Sequence, residues 1–178
     1  KKKVLKIAVT GLNNIGKTCL CQILTGEDPN IEYNRTIGVD FMVNFFNNYN
    51  IKLCFWDFGG YDRFEIITYS YIRNVDLIIF VYNIYDYSSV YKIKNLYNTY
   101  KQHGWDSKSI IVGNNVIRKG ENLKNRFVRE ADIFAQENFL PHVLIDTRKR
   151  EGINVLTHEI FMTSNVYRTS NNDGKKNN

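Results

Sequence analysis

The apolar positions of this chain fall into short runs rich in Ile, Val and Leu. Longer stretches separate them, in which apolar residues recur every three or four positions. Val4–Val9, Leu77–Tyr82, Ser109–Val112 and His142–Ile145 are nearly continuous runs, the pattern of strands buried on both faces in a parallel sheet. Val39–Phe46 and Ile51–Phe55 read as a strand pair around Asn47-Asn48-Tyr49-Asn50, whose asparagines tolerate the left-handed backbone of a hairpin turn. Helical periodicity runs through Lys17–Leu24, Ser88–Tyr100, Val128–Asn138 and Asn154–Tyr167. Ser88 or Ser89 is the expected N-cap of the second helix. Ile133, Phe134 and Phe139 are expected on one face of the third, and Val155, Ile160 and Phe161 are expected inward on the fourth. Strands alternating with helices predict an α/β domain, its sheet covered by helices on both faces. There is no internal repeat; residues 1–168 read as one domain and 169–178, rich in Asn and Lys, as a flexible tail.

Composition narrows the class without naming a function. With 178 residues, 43% of them hydrophobic, the chain can bury a full core, which excludes a disulfide mini-protein, a collagen and a wholly disordered chain. Lys and Arg number 24 against 18 Asp and Glu, and part of that +6 excess sits at the ends, in Lys1–Lys3 and Lys175-Lys176. The remaining basic balance is mild, so nucleic acid is not an expected partner. Cys19, Cys21 and Cys54 lie among apolar residues without metal spacing, as reduced, buried thiols of a cytoplasmic protein would. His103, His142 and His158 have neither ligand spacing nor a paired nucleophile and read as surface or helix-end residues. No apolar run is long enough for a membrane span, and because the chain opens on Lys1, signals that depend on its ends are not read.

The chemistry concentrates after the first strand. Gly11-Leu12-Asn13-Asn14-Ile15-Gly16-Lys17-Thr18 matches G-x-x-x-x-G-K-[ST], between a predicted strand and a predicted helix. In such a turn the glycines let backbone N–H groups of Asn13, Asn14, Ile15 and their neighbours through Cys19 close around a polyphosphate, helped by the helix N-terminus. Lys17 would reach the outer phosphates and the Thr18 hydroxyl would hold Mg²⁺. Asp57-Phe58-Gly59-Gly60 directly follows another strand, where a carboxylate can hold Mg²⁺ through water and Gly60 can offer its N–H to a terminal phosphate. Thr36, in the long connection ahead of the second strand, can close on the metal and that phosphate only when the phosphate is present.

At this point the chain resembles the Ras-superfamily small GTPases, most closely the Rab family. Thr36-Ile37-Gly38-Val39-Asp40-Phe41 is similar to the Rab switch I. Asp62-Arg63-Phe64 with Ile67-Thr68-Tyr69-Ser70-Tyr71-Ile72-Arg73 is similar to Rab switch II. Trp56-Asp57-Phe58-Gly59-Gly60 and Leu12-Asn13-Asn14 lean toward Arf-like proteins. The likeness runs from about Leu5 to Tyr167. It implies the P-loop NTPase G-domain fold with a six-stranded, mostly parallel sheet, and GTP/GDP with Mg²⁺ held by Thr18, Thr36 and Asp57. It also implies a nucleotide-dependent switch in vesicle traffic, with effectors and regulators binding through switch I and switch II. A monomer, cytoplasmic and peripheral on membranes, is the matching expectation. No cysteine lies near the last residue of the sequence given; only for a chain that ends there would membrane recruitment need a basic tail or a partner, and lipidation is left open because the ends are not read.

The departures from the family fall in two places. Where its Asn-Lys-x-Asp reads guanine, this chain has Asn114-Asn115-Val116-Ile117, and Ile117 has no acceptor. Two charge-assisted hydrogen bonds of about 1.5–3 kcal/mol each are thereby missing, on the order of 10²–10⁴ in affinity. The family's Ser-Ala-Lys near the base aligns with Arg148-Lys149-Arg150, and the aromatic that stacks on guanine aligns with Pro29, Tyr33 being a shifted substitute. Asn114, Asn115, Arg148 and Lys149 are the base-side candidates. At the catalytic position Tyr61 stands beside Gly60 where the family has the water-orienting glutamine. A phenol lacks the paired donor and acceptor, so slow hydrolysis is expected. The competing expectations are a pseudo-GTPase used as an interaction scaffold and, more remotely, a P-loop ATPase or a nucleotide kinase, the last of which would need an arginine-bearing lid that the sequence does not show.

Overall fold

Backbone pairing sorts the apolar runs into one sheet. The computed structural model of the chain describes residues 3–29, 36–47, 50–59, 70–106, 108–117 and 126–165. Among these, β1 (Lys3–Thr10), β2 (Val39–Phe46), β3 (Ile51–Phe58), β4 (Leu77–Asn83), β5 (Lys108–Asn114) and β6 (His142–Ile145) lie in the order β2-β3-β1-β4-β5-β6. β2 runs antiparallel to β3, and the other neighbours are parallel. The fold is the six-stranded, mostly parallel α/β architecture expected from the sequence. Every residue of central β4 is buried, which is why its sequence is a continuous apolar run rather than an alternating one.

Among the described residues four helices cover the sheet: α1 (Lys17–Thr25), α2 (Tyr87–Gln102), α3 (Val128–Glu137) and α4 (Ile153–Thr163). Leu20 and Leu24 of α1 and Leu156 and Ile160 of α4 pack with Ile7, Val9, Ile79 and Val81 on one face. Val90, Ile93 and Leu96 of α2 and Phe134 of α3 pack with Ile78, Phe80 and Tyr82 on the other. The registers Val9↔Asp57, Thr10↔Phe80, Asn83↔Asn114 and Asn114↔Ile145 align the carboxyl ends of the parallel strands along one edge, where ligands of open α/β sheets bind.

Several local expectations are corrected. The N-cap of α2 is Asp86, not Ser88 or Ser89: its carboxylate accepts the Ser88 N–H at 2.9 Å, while the Ser89 hydroxyl is buried against Asn83 and Asp86. In α3 only Phe134 of the predicted trio faces inward. Ile133 turns out to solvent, and Phe139 lies past the helix end at φ 55° with 96% of its surface exposed. α4 starts at Ile153, directly after Gly152, so Leu156 takes the inward place expected of Val155, which is exposed. β3 runs to Phe58, so Asp57 lies inside the strand rather than after it. His142 is no surface residue: it opens β6 half-buried, its Nε2 2.9 Å from the Tyr82 hydroxyl and its Nδ1 3.2 Å from Asp132 Oδ1. Cys21 and Cys54 are buried, Cys19 is half-buried, and all three are free thiols. No helix among the described residues is long and apolar enough to cross a membrane. The expected boundary between domain and tail lies outside the described residues.

Candidate functional site

The turn from β1 to α1 is shaped by two glycines. Gly11 stands at φ 141°, where a Cβ would lie 2.2 Å from the Val81 carbonyl oxygen. Gly16 stands at φ 86°, and its Cβ would lie 2.5 Å from Asn114 Nδ2. A side chain at Gly11 would run into the backbone of β4, and one at Gly16 would displace the Asn114 amide. Asn14, also at positive φ, completes the curl, while the Ile15 side chain turns away into the core. α1 then starts with no acid in its first turn and, among the described residues, no capping side chain on its N-terminal amides. That is the electrostatic setting of an anion site.

Lys17 and the oxygen ligand set meet at this helix end. The Lys17 ammonium is buried and donates to the Leu12 carbonyl at 2.7 Å. Burial lowers its pKa to about 8 against the opposing pull of the Asp57 carboxylate. Thr18 donates a short hydrogen bond to Asp57 Oδ2. The Thr36 hydroxyl lies 3.0 Å from that of Thr18 and donates to the same Asp57 oxygen at 3.2 Å. Asp57 is buried, its other oxygen has no hydrogen-bond partner among the described residues, and desolvation raises its pKa despite the Thr18 bond and the Lys17 charge. Two hydroxyls and a carboxylate with a spare buried lone pair form a hard oxygen donor set, which fits Mg²⁺. Gly59 N–H donates to the Gly38 carbonyl at 2.8 Å, tying the segment after Thr36 to the end of β3. Cys19, in the first turn of α1, carries a half-buried thiol that burial and then Asp57 push up.

The base-side loops are bound to the cradle from the other direction. Asn114 is fully buried; its Nδ2 donates to the Ile15 carbonyl at 2.9 Å and to Thr147 Oγ1 at 3.2 Å, and its Oδ1 accepts the Thr147 N–H at 3.2 Å. Asn115 Nδ2 donates to Asp146 Oδ2 at 2.9 Å. The buried Asp146 also accepts the amides of Arg148 and Lys149, at 2.9 and 3.1 Å, on Oδ1. The Arg148 guanidinium folds back to the Asn115 carbonyl and lies 3.9 Å from the Asp146 carboxylate. Ile117 is 44% exposed on the rim.

Of the sequence candidates, then, the structure brings together Gly11, Asn13, Asn14, Ile15, Gly16, Lys17, Thr18, Cys19, Thr36 and Asp57 on one side. Asn114, Asn115, Arg148 and Lys149 gather on the other. Gly60, Tyr61 and Tyr33 lie outside the described residues. Sequence reasoning missed Thr147 and Asp146, and it did not show that Arg150 of the basic run pairs with Asp28. An Asp-Thr pair at the end of a strand, with amides two and three residues on to be capped, was the available signal for Asp146.

The family model described as Ras of Complex, Roc, domain of DAPkinase matches residues 6–116. The chain is similar to the Ras-related protein SEC4 of Saccharomyces cerevisiae, 29% identical over 165 residues, covering 90% of this chain and 73% of the relative. It is similar to the GTP-binding protein YPTM1 of Zea mays, 32% identical over 157 residues, covering 85% of this chain and 73% of the relative. It is also similar to the Ras-related protein RABE1e of Arabidopsis thaliana, 34% identical over 114 residues, covering 62% of this chain and 52% of the relative.

Proposed function

Since this chain belongs to the Ras-superfamily GTPase domains, with Rab proteins among its relatives, we propose that it is a Rab-like nucleotide switch in membrane traffic with relaxed base recognition and slow hydrolysis. The observation that carries this is the convergence of the Thr18, Thr36 and Asp57 oxygens beside Lys17 at an uncapped helix start. Amides of 13–19 cradle the phosphates, and Lys17 leaves the Leu12 carbonyl for the outer ones. Thr18, Thr36 and Asp57 would hold a Mg²⁺ ion, which would supply charge neutralisation for the phosphates. Thr36 links that site to β2, so loss of the terminal phosphate releases the segment ahead of β2. The exposed Phe41 ring, 5.0 Å from that of Trp56, and exposed Tyr71 border both switch segments and offer the apolar surface on which effectors and regulators dock. The protein is taken as cytoplasmic, peripheral on membranes and monomeric.

Base reading is weak in this scheme because Ile117 has no acceptor and the Lys149 amide is already taken by Asp146. Those two facts equally favour the second reading, a pseudo-GTPase scaffold with little or no turnover. Tyr61 and Gly60 are the proposed catalytic pair, with Tyr61 unable to orient a water as glutamine does. Nucleotide released on denaturing the purified protein, followed by titration with GTP, GDP and ATP with and without Mg²⁺, separates the readings. We expect Mg²⁺-dependent binding of both purine triphosphates, lost in Lys17→Ala. Tight GTP binding with ATP excluded would overturn the relaxed base site. Single-turnover hydrolysis should be faster in Tyr61→Gln than in the parent; equal rates would clear Tyr61 of responsibility.

A further inference from the structure

Between the sheet and the segment 70–76 that leads into β4 lies a cavity of about 290 Å³. The described residues lining it are Lys6 of β1, Trp56 of β3, and Ser70, Tyr71, Asn74 and Val75 of that segment. Its floor follows from strand register. Lys6 pairs with Cys54 and Ala8 with Trp56, so Lys6 and Trp56 are diagonal neighbours on one face of the sheet. Its wall is fixed to the sheet. Ile72 and Val75 are buried with Ala8. Asp76 bonds the Lys6 backbone twice, its N–H donating to the carbonyl and its Oδ2 accepting from the amide, each at 2.8 Å.

Size and chemistry narrow what fits. The volume is just below the roughly 300–1,000 Å³ of small-molecule sites, too small to enclose a nucleotide and wide enough for one large side chain. Trp56 and Tyr71 are of the residue types that anchor protein interfaces, and the Phe41 ring, 5.0 Å from that of Trp56, continues the apolar surface. Lys6 is the one charged side chain among the described lining residues, and among the described residues its ammonium has no ion-pair partner. Asp76 is turned to the Lys6 amide instead. An exposed cation beside two aromatic side chains complements a ring with a carboxylate close to it. We propose that this cavity receives an aromatic side chain of a partner protein with an acidic residue next to it in sequence, the ring lying against Trp56 and Tyr71 and the carboxylate pairing with Lys6. The inference rests on the reading that effectors and regulators dock beside Phe41 and Tyr71, and it adds the chemistry of their anchor.

The size of the effect follows from exposure. Lys6 is exposed, so water and salt screen the pair. Exposed pairs of this kind support a preference of roughly 1.4–5-fold for an acid over its amide. The aromatic contact therefore supplies most of the affinity, and the carboxylate supplies the selectivity.

The test is an NMR titration of the full chain with blocked dipeptides that pair Phe with Glu, Gln or Lys, in both orders, following the Trp56 indole and Asn74 amide signals. In at least one order the Glu dipeptide should bind with a dissociation constant on the order of 1–10 mM, about 2–5-fold more tightly than its Gln form. Lys6→Met should equalise the two. Lys6→Glu should reverse the order in favour of the Lys dipeptide, a result that loss of structure cannot give. Equal binding of the Glu and Gln forms to wild type, a preference that survives Lys6→Met, or no shift of either signal up to about 50 mM overturns the proposal and leaves the switch reading intact. The same titration is run on nucleotide-free protein and on protein loaded with Mg²⁺ and a non-hydrolysable triphosphate. Identical Glu-selective binding in both states, or such binding by a protein that takes up no nucleotide, keeps the pocket and overturns its control by the switch.

Discussion

Asn114 is the side chain on which cradle and base loop both depend, and replacing it by alanine measures that dependence. The parent amide satisfies the Ile15 carbonyl at 2.9 Å and the Thr147 N–H at 3.2 Å, in a place with no exposed surface. Asn114→Ala leaves one buried acceptor and one buried donor unpaired, at about 1–3 kcal/mol each. The space left is polar and about the size of the lost amide, so a water can enter and recover part of this. The net expectation is a loss of about 2–4 kcal/mol. With a urea slope near 2 kcal/mol per molar, the unfolding midpoint falls by roughly 1–2 M. Asn114→Asp sharpens the test. It keeps the acceptor for the Thr147 N–H but sets an oxygen against the Ile15 carbonyl, so it should be no better tolerated than alanine. Equilibrium urea unfolding followed by tryptophan fluorescence gives both numbers. A loss below about 1 kcal/mol for Asn114→Ala, or an aspartate variant as stable as the parent, would mean that the cradle and the Thr147 loop are held independently of this side chain.

Three further outcomes follow from particular contacts. Phe139→Gly should stabilise by about 0.5–1 kcal/mol in urea unfolding, because a left-handed residue after α3 is replaced by one without a Cβ penalty, partly offset by unfolded-state entropy. A loss of stability there would show that the ring packs on something. Asp86→Ala should cost about 1 kcal/mol by removing the α2 cap, whereas Ser88→Ala should cost less; the reverse order would contradict the cap assignment. Burial, then the negative charge of Asp132, raises the Tyr82 pKa well above its ordinary value. Above pH 10 the unfolded chain therefore loses that proton while the folded one keeps it, so stability falls as pH rises. Tyr82→Phe should be less stable at pH 8 for want of the His142 bond, yet should show a flatter alkaline limb in urea midpoints. An unchanged limb would assign the alkaline loss to other groups.

Much of the fold was legible because its signals are local. A strand buried on both faces must be apolar throughout, as Leu77–Tyr82 is, and the change to helical spacing after Lys17 marks the βα turn without reference to the rest of the chain. The phosphate half of the site was legible for the same reason: Gly11 to Thr18 is one contiguous turn whose glycines and lysine act where they stand. Element ends were less legible. Ser88 and Asp86 are both good caps, and only the bond from the Ser88 N–H to the Asp86 carboxylate decides between them. The third helix places Ile133 beside Phe134, and a hydrophobic pattern alone does not say which of two neighbours the sheet will cover.

The sequence by itself thus determined the order of strands and helices, the phosphate turn and the loss of an acceptor at Ile117. These depend on residue type and spacing within a few positions. Tertiary structure alone decided that Asn114 meets Ile15 and Thr147, and that of three adjacent cations Arg148 turns inward while Arg150 reaches Asp28. Those contacts join segments far apart in the chain. Their partners are chosen by how the sheet aligns strand ends and which loops it brings side by side, and no local pattern encodes that choice.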